Sequence, residues 1–124
     1  MRPEPALVAI VDDDARICTA LLRLFRFASY RAEAFRSAEV FLETLAAQPP
    51  SCVVLDLHLP GMPGIELLRQ IRALERAPPV VVITADDDER LERQCASLGT
   101  RQYFRKPVDG DALLEAVRTI VGAP

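Results

Sequence analysis

The sequence has only one histidine and three cysteines, Cys18, Cys52 and Cys95, and no two of the thiols form a CxxC pair. That leaves no ligand set for a structural zinc site, and an odd thiol count is not a disulfide framework. The expectation is a reducing, cytoplasmic compartment with the thiols serving as small apolar side chains. No apolar run approaches the roughly 18–20 residues that cross a bilayer, which excludes a membrane role. Ala6–Val11 is shorter than the apolar region of about 7–15 residues in a secretory signal, and three acids follow it directly. Positive charge is not in excess either: 15 Lys and Arg stand against 18 Asp and Glu, a formal net charge of −3. A chain with that balance is not expected to grip nucleic acid by itself. What is present is an apolar half, 50% of 124 residues, together with 27% charged side chains. That composition belongs to one globular domain over 1–124 and not to a disordered tail.

Apolar runs at Ala6–Val11, Cys52–Leu55 and Val80–Ile83, with shorter ones at Arg31–Phe35 and Arg101–Arg105, read as strands. Val80–Ile83 is continuous and β-branched, as in a strand buried on both faces. Amphipathic stretches lie between the runs. Ile17, Leu21, Leu24 and Ala28 share one helix face, with Arg16, Arg23 and Arg26 opposite. Phe41, Leu42 and Leu45 follow Ser37, a helix N-cap. Leu67, Ile71 and Leu74 mark a third helix, and Leu113, Val117 and Ile120 a fifth. The fourth, over about 87–98, has only Leu91, Cys95 and Leu98 to bury, which suits an element that moves. Pro49-Pro50 and Pro78-Pro79 stop helices ahead of strands, and Pro60-Gly61 with Pro63-Gly64 shapes a loop. Five successive β-then-α units predict an α/β, flavodoxin-like (βα)5 doubly wound fold. Its five-stranded parallel sheet takes the order 2-1-3-4-5, with helices on both faces. Ligands of such sheets gather outside the carboxyl ends of the strands.

Those ends are informative. The first run stops at Asp12-Asp13-Asp14, the third at Asp56, the fourth at Thr84 and the fifth at Arg105-Lys106-Pro107. The second ends in Phe35-Arg36-Ser37 and offers no obvious chemistry. Singly, Asp14 caps a helix, Asp56 is a turn residue, Thr84 fits a strand and Lys106 is a solvated loop cation. Jointly they suit phosphoryl transfer to a carboxylate, in which the protein contributes mainly position and charge. One or two carboxylates plus phosphoryl oxygens satisfy Mg²⁺, a lysine neutralises another oxygen, and a threonine hydroxyl donates to the third.

Together these residues resemble the receiver domain of two-component response regulators, in the CheY-like superfamily, over essentially the whole chain. The matching pieces are Ile10-Val11-Asp12-Asp13-Asp14, Val54-Leu55-Asp56 with Leu59-Pro60-Gly61-Met62-Pro63-Gly64, Val82-Ile83-Thr84-Ala85, and Lys106-Pro107. Ser37-Ala38-Glu39 with Phe41-Leu42 is most similar to the FixJ-like group. The resemblance implies a bacterial signalling switch, catalysing only its own phosphorylation and dephosphorylation. Asp56 would be the phosphoacceptor, fed by a histidine kinase or a phosphotransfer protein. Asp12, Asp13, Asp56 and the backbone carbonyl of His58 would hold Mg²⁺. Thr84 and Lys106 would contact the phosphoryl group, Lys106-Pro107 would be cis, and Tyr103 would be the switch aromatic. The surface of helix four, strand five and helix five would then change for an output domain, a protein target or a second copy in a phosphorylation-dependent homodimer. Driving such a switch from 1:99 to 99:1 takes about 5.5 kcal/mol of differential interaction.

Local features add expectations. Asp86-Asp87-Asp88-Glu89 would open helix four at its favoured end, and by charge would either weaken phosphoryl retention or raise the Mg²⁺ requirement. His58 and Asp86 lie two residues past Asp56 and Thr84; they are either solvated or paired across the site opening, limiting water. Arg101, Tyr103 and Arg105 at strand period would share a face. With Arg90 and Arg93 they form either a solvated face or a locally basic output surface. Two other functions stand beside the switch. One is a phosphatase resembling the haloacid-dehalogenase family, with Asp12 and Asp14 as nucleophile and acid, against which Arg16 and the unexplained Asp56 count. The other is a phosphorylation-independent receiver that serves only as an interaction module.

Overall fold

The computed structural model describes residues 6–124. Strands β1 (Leu7–Val11), β2 (Arg31–Phe35), β3 (Cys52–Asp56), β4 (Val80–Thr84) and β5 (Gln102–Arg105) alternate with helices. These are α1 (Ala15–Phe27), α2 (Ala38–Leu45), α3 (Gly64–Arg72), α4 (Glu89–Ser97) and α5 (Gly110–Val121). All strand pairs are parallel, in the order β2-β1-β3-β4-β5, as the sequence predicts. Every residue of β1, β3 and β4 is buried, which explains their continuous apolar runs.

Strand alternation sends side chains to two separate cores. Ala9, Val11, Val53, Leu55, Val80 and Val82 meet Phe41, Leu45, Leu67, Leu68, Ile71 and Cys95 from α2, α3 and α4. Val8, Ile10, Cys52, Val54, Val81 and Ile83 meet Cys18, Leu21, Phe25, Leu113 and Val117 from α1 and α5. Each fully buried large apolar side chain contributes about 1.5–3 kcal/mol, so the two layers hold the sheet between them. The register aligns the strand ends: Val11 pairs with Leu55, Asp56 with Ile83, and Thr84 with Arg105. Residues 12, 56, 84 and 106 are thereby brought to one edge. Among the described residues, no helix is long and apolar enough to cross a membrane.

Caps set the helix starts. Asp14 accepts from the N–H groups of Arg16 and Ile17, Ser37 from Val40, and Asp109 from Asp111 and Ala112. Two boundaries differ from the sequence expectation. Helix α3 stops at Arg72, so Leu74 lies beyond it and is 43% exposed instead of buried. Helix α4 starts at Glu89, not at the head of the acidic run. Asp88 is its cap, accepting from Arg90 N–H, while Asp86 N–H is turned back to Thr84 Oγ1 at 3.1 Å. Asp86 and Asp87 therefore belong to the loop. As expected, α4 is lightly anchored, with Cys95 its one fully buried residue.

Gly64 is fixed by close approach. A Cβ there would lie 2.4 Å from Leu57 Cα and 2.7 Å from Leu57 O, backbone atoms that cannot swing aside. Gly64→Ala should cost about 1–3 kcal/mol by forcing α3 off the β3 exit. Urea unfolding of the two proteins, compared at equal m-value, measures it.

Candidate functional site

The β1–α1 turn, the end of β3, the end of β4 and the β5–α5 turn meet at the carboxyl edge of the sheet. Lys106 is the chain's only lysine, a scarcity that singles it out in the sequence. Its N–H donates to Thr84 O at 2.7 Å, and the Lys106-Pro107 peptide is cis, as expected. Its ammonium donates to Asp12 Oδ2 at 3.0 Å and Asp56 Oδ2 at 3.1 Å. The remaining oxygens also have partners: Asp12 Oδ1 accepts from Asp14 N–H at 2.9 Å and Asp56 Oδ1 from His58 N–H at 3.1 Å. Asp12 is fully buried and Asp56 only 2% exposed, whereas Asp13 faces solvent.

Electrostatics makes this an unbalanced site. Two buried carboxylates share a single ammonium, and Asp13 adds a third acid with ligand atoms within 4.8 Å of the other two. Burial pushes the Asp12 carboxyl above its ordinary range. Bonds from Asp14 N–H and Lys106 offset part of that rise, and repulsion from Asp56 adds to it. Burial works against the Lys106 ammonium, but the bonds and attraction of Asp12 and Asp56 outweigh it and raise that group above 10.5. Each carboxylate oxygen keeps a spare lone pair. An all-oxygen donor set with excess negative charge fits a hard divalent cation.

Around this centre, Thr84 is fully buried, and its hydroxyl oxygen accepts from Asp86 N–H. At the rim, His58 Nε2 lies 3.4 Å from Asp86 Oδ2, so the two side chains pair across the opening. Tyr103 packs on the core cluster that holds Cys95, with its hydroxyl buried and without a hydrogen-bond partner among the described residues. Burial raises that phenol, and Cys95, Glu92 and Asp86 add to the effect.

The profile of the response regulator receiver domain matches residues 8–118. The chain belongs to that family. Transcriptional regulatory protein FixJ of Bradyrhizobium diazoefficiens is 30% identical over 114 residues, covering 92% of this chain and 56% of the relative. Response regulator protein TodT of Pseudomonas putida is 30% identical, covering 95% and 52%. The chain thus spans about half the length of the curated relatives it matches. Among solved structures, a response regulator receiver protein from Pseudomonas putida superposes with a TM-score of 0.90 at 31% identity, covering 96% and 99%. A BeF3-activated receiver domain, DrrB, gives 0.85 at 27% identity, covering 94% and 97%. The CheY-like, FixJ-like resemblance and the fold are therefore correct, and the receiver's role is in two-component signalling.

Several local expectations need correction in this receiver. Asp14 does not join the aspartate cluster; its Oδ1 is committed to capping α1, which leaves the phosphatase reading without its acid. Of the two arrangements expected for His58 and Asp86, the paired one is seen, and Asp87 pairs with Arg105 at 2.6 Å, so the guanidinium offsets part of the acidic run's charge. Arg101 precedes β5 and lines a groove with Ala112 and Glu115 of α5, because strand alternation does not apply outside the strand. Arg93 pairs with Glu89 and Arg105 with Asp87, so two of the four arginines expected around Tyr103 have acidic partners. The second strand end is also not idle: Arg36 Nε donates to Asp13 O at 2.8 Å. Hydrophobic periodicity carries no signal for that contact; only its place after β2, the edge strand that pairs with β1, hints at it.

Removing the shared ammonium tests the charge imbalance. Because the Lys106 ammonium is held above 10.5, its stabilisation is fully present below that pH and lost as pH rises through the folded value. In chelator at neutral pH, Lys106→Met should lose about 3 kcal/mol, the scale for stripping one partner from a buried ion pair. The gap from wild type should close in melts run above pH 10.5.

Proposed function

We propose that this receiver, residues 1–124 read as one unit, is a cytoplasmic phosphorylation-activated switch whose phosphoacceptor is Asp56. The observation that carries this reading is the Lys106 ammonium bridging Asp12 and Asp56 beside exposed Asp13. An oxygen of Asp56 attacks the phosphorus of a phosphohistidine on a histidine kinase or phosphotransfer protein. The P–O bond forms as the P–N bond breaks, and the imidazole leaves. Asp12, Asp13, Asp56 and the backbone carbonyl of His58 are the groups that hold Mg²⁺, which when bound neutralises charge on the carboxylates and phosphoryl oxygens. Lys106 already touches Asp56 and has a third N–H to offer a phosphoryl oxygen.

The Thr84 hydroxyl oxygen accepts from Asp86 N–H, which leaves its proton free to donate. When it turns to the phosphoryl group, the bond to the β4–α4 loop is given up and the loop shifts. The Tyr103 hydroxyl, on the strand that pairs with β4, has no partner among the described residues, so relief of its buried, unsatisfied state favours a rearranged face. The α4–β5–α5 surface is then what an output domain, a protein target or a second copy reads. The His58–Asp86 pair limits water at the acyl phosphate.

Incubation with acetyl phosphate and Mg²⁺ should yield a phosphoryl adduct that peptide mapping places on Asp56. Asp56→Asn should abolish it, and Lys106→Met should slow it about 100-fold, as for loss of a charge-stabilising group. An adduct on Asp12 would favour the phosphatase reading; partner binding without any adduct would favour the interaction module. His58→Ala should shorten the phosphate lifetime at neutral pH. Decay of the isolated phosphoprotein measures it.

A further inference from the structure

We infer that Arg36 is a positioning residue for cation binding, holding the exposed ligand Asp13 from the far side of the β1–α1 turn; this rests on reading the aspartate cluster as a Mg²⁺ site. The three acids are not held alike. Asp12 is fixed by Lys106 and Asp14 N–H, and Asp56 by Lys106 and His58 N–H. The Asp13 carboxylate faces solvent and has no ion pair among the described residues. What restrains Asp13 is its backbone. Arg36 Nε donates to Asp13 O at 2.8 Å, across 23 positions of sequence. One residue earlier, Asp12 N–H donates to Phe35 O at 3.0 Å, and Asp12 O accepts from Cys18 Sγ at 3.2 Å. The end of β2 therefore grips the acidic pair twice, once through its main chain and once through Arg36.

Charge and position make opposite demands here. A guanidinium near an anionic cluster repels a divalent cation, so by charge alone its removal would tighten binding. Held in place by that guanidinium, however, Asp13 presents its carboxylate without first losing the freedom of an exposed turn. Arg36 makes no ion pair among the described residues, so its contact with Asp13 O is its one specific polar bond there. The sign of the effect on cation affinity therefore identifies which role dominates.

The test is titration of Mg²⁺ alone into metal-free wild type, Arg36→Ala, Arg36→Lys and Asp56→Asn, followed by amide NMR shifts at residues 13 and 14. Arg36→Ala should weaken Mg²⁺ about fivefold, below the roughly 10–100-fold of buried outer-shell partners because this bond is exposed. Arg36→Lys, which keeps a donor, should recover part of the loss. Melting in chelator should leave both arginine variants close to wild type, which separates positioning from general destabilisation. If wild type binds and Arg36→Ala binds equally well or more tightly, the inference is overturned while the site stands. If wild type fails to bind, or Asp56→Asn binds as wild type does, the reading of the aspartate cluster itself fails.

Discussion

The bond from Lys106 to both Asp12 and Asp56 is the interaction on which the rest of the site depends. Two carboxylates taken out of water at the edge of a sheet repel each other, and one ammonium within about 3.1 Å of each makes their burial tolerable. The bargain is deliberately incomplete in electrostatic terms. Two buried anions and an exposed third outnumber the single cation, so the site has unmet negative charge and free lone pairs. That imbalance is what suits the site to a hard divalent cation.

That arrangement is possible because the sheet beneath it is rigid. The three inner strands are buried throughout and clamped between two separate cores, so their carboxyl ends keep a fixed register. Mobility is left to the periphery. Helix α4 has one fully buried side chain, and the loop before it hangs on Thr84 Oγ1 and on rim ion pairs that are half exposed. Exposed pairs of that kind contribute about 0–1 kcal/mol each, so they tie the loop down only weakly. The fold thus joins a fully buried centre to a lightly anchored fourth helix.

Much of this was legible in the sequence, for identifiable reasons. Continuous β-branched runs read as fully buried strands, and Asp14 and Ser37 read as caps because a carboxylate or hydroxyl before an apolar-periodic stretch has few other uses. The acids, Thr84 and Lys106 were visible as a set because each stands at or just past the end of a strand, and parallel topology brings strand ends together. The errors fall in loops. The acidic run suggests that Asp86 and Asp87 lie on α4, yet the helix begins only where Asp88 caps it. Strand spacing suggests Tyr103's face for Arg101, which lies before the strand. Leu74 continued a helical spacing past the point where α3 ends.

The sequence by itself determined the order of strands and helices, the two-sided burial and the residue types at each strand end, because these follow from periodicity and local capping. Only the tertiary structure decided that Arg36 reaches Asp13, that Asp86 turns to His58 and Asp87 to Arg105, and that the Tyr103 hydroxyl is buried without a partner among the described residues. Those contacts join loops far apart in the chain, where no repeat fixes direction. Their geometry follows from how the completed sheet sets its neighbouring ends side by side.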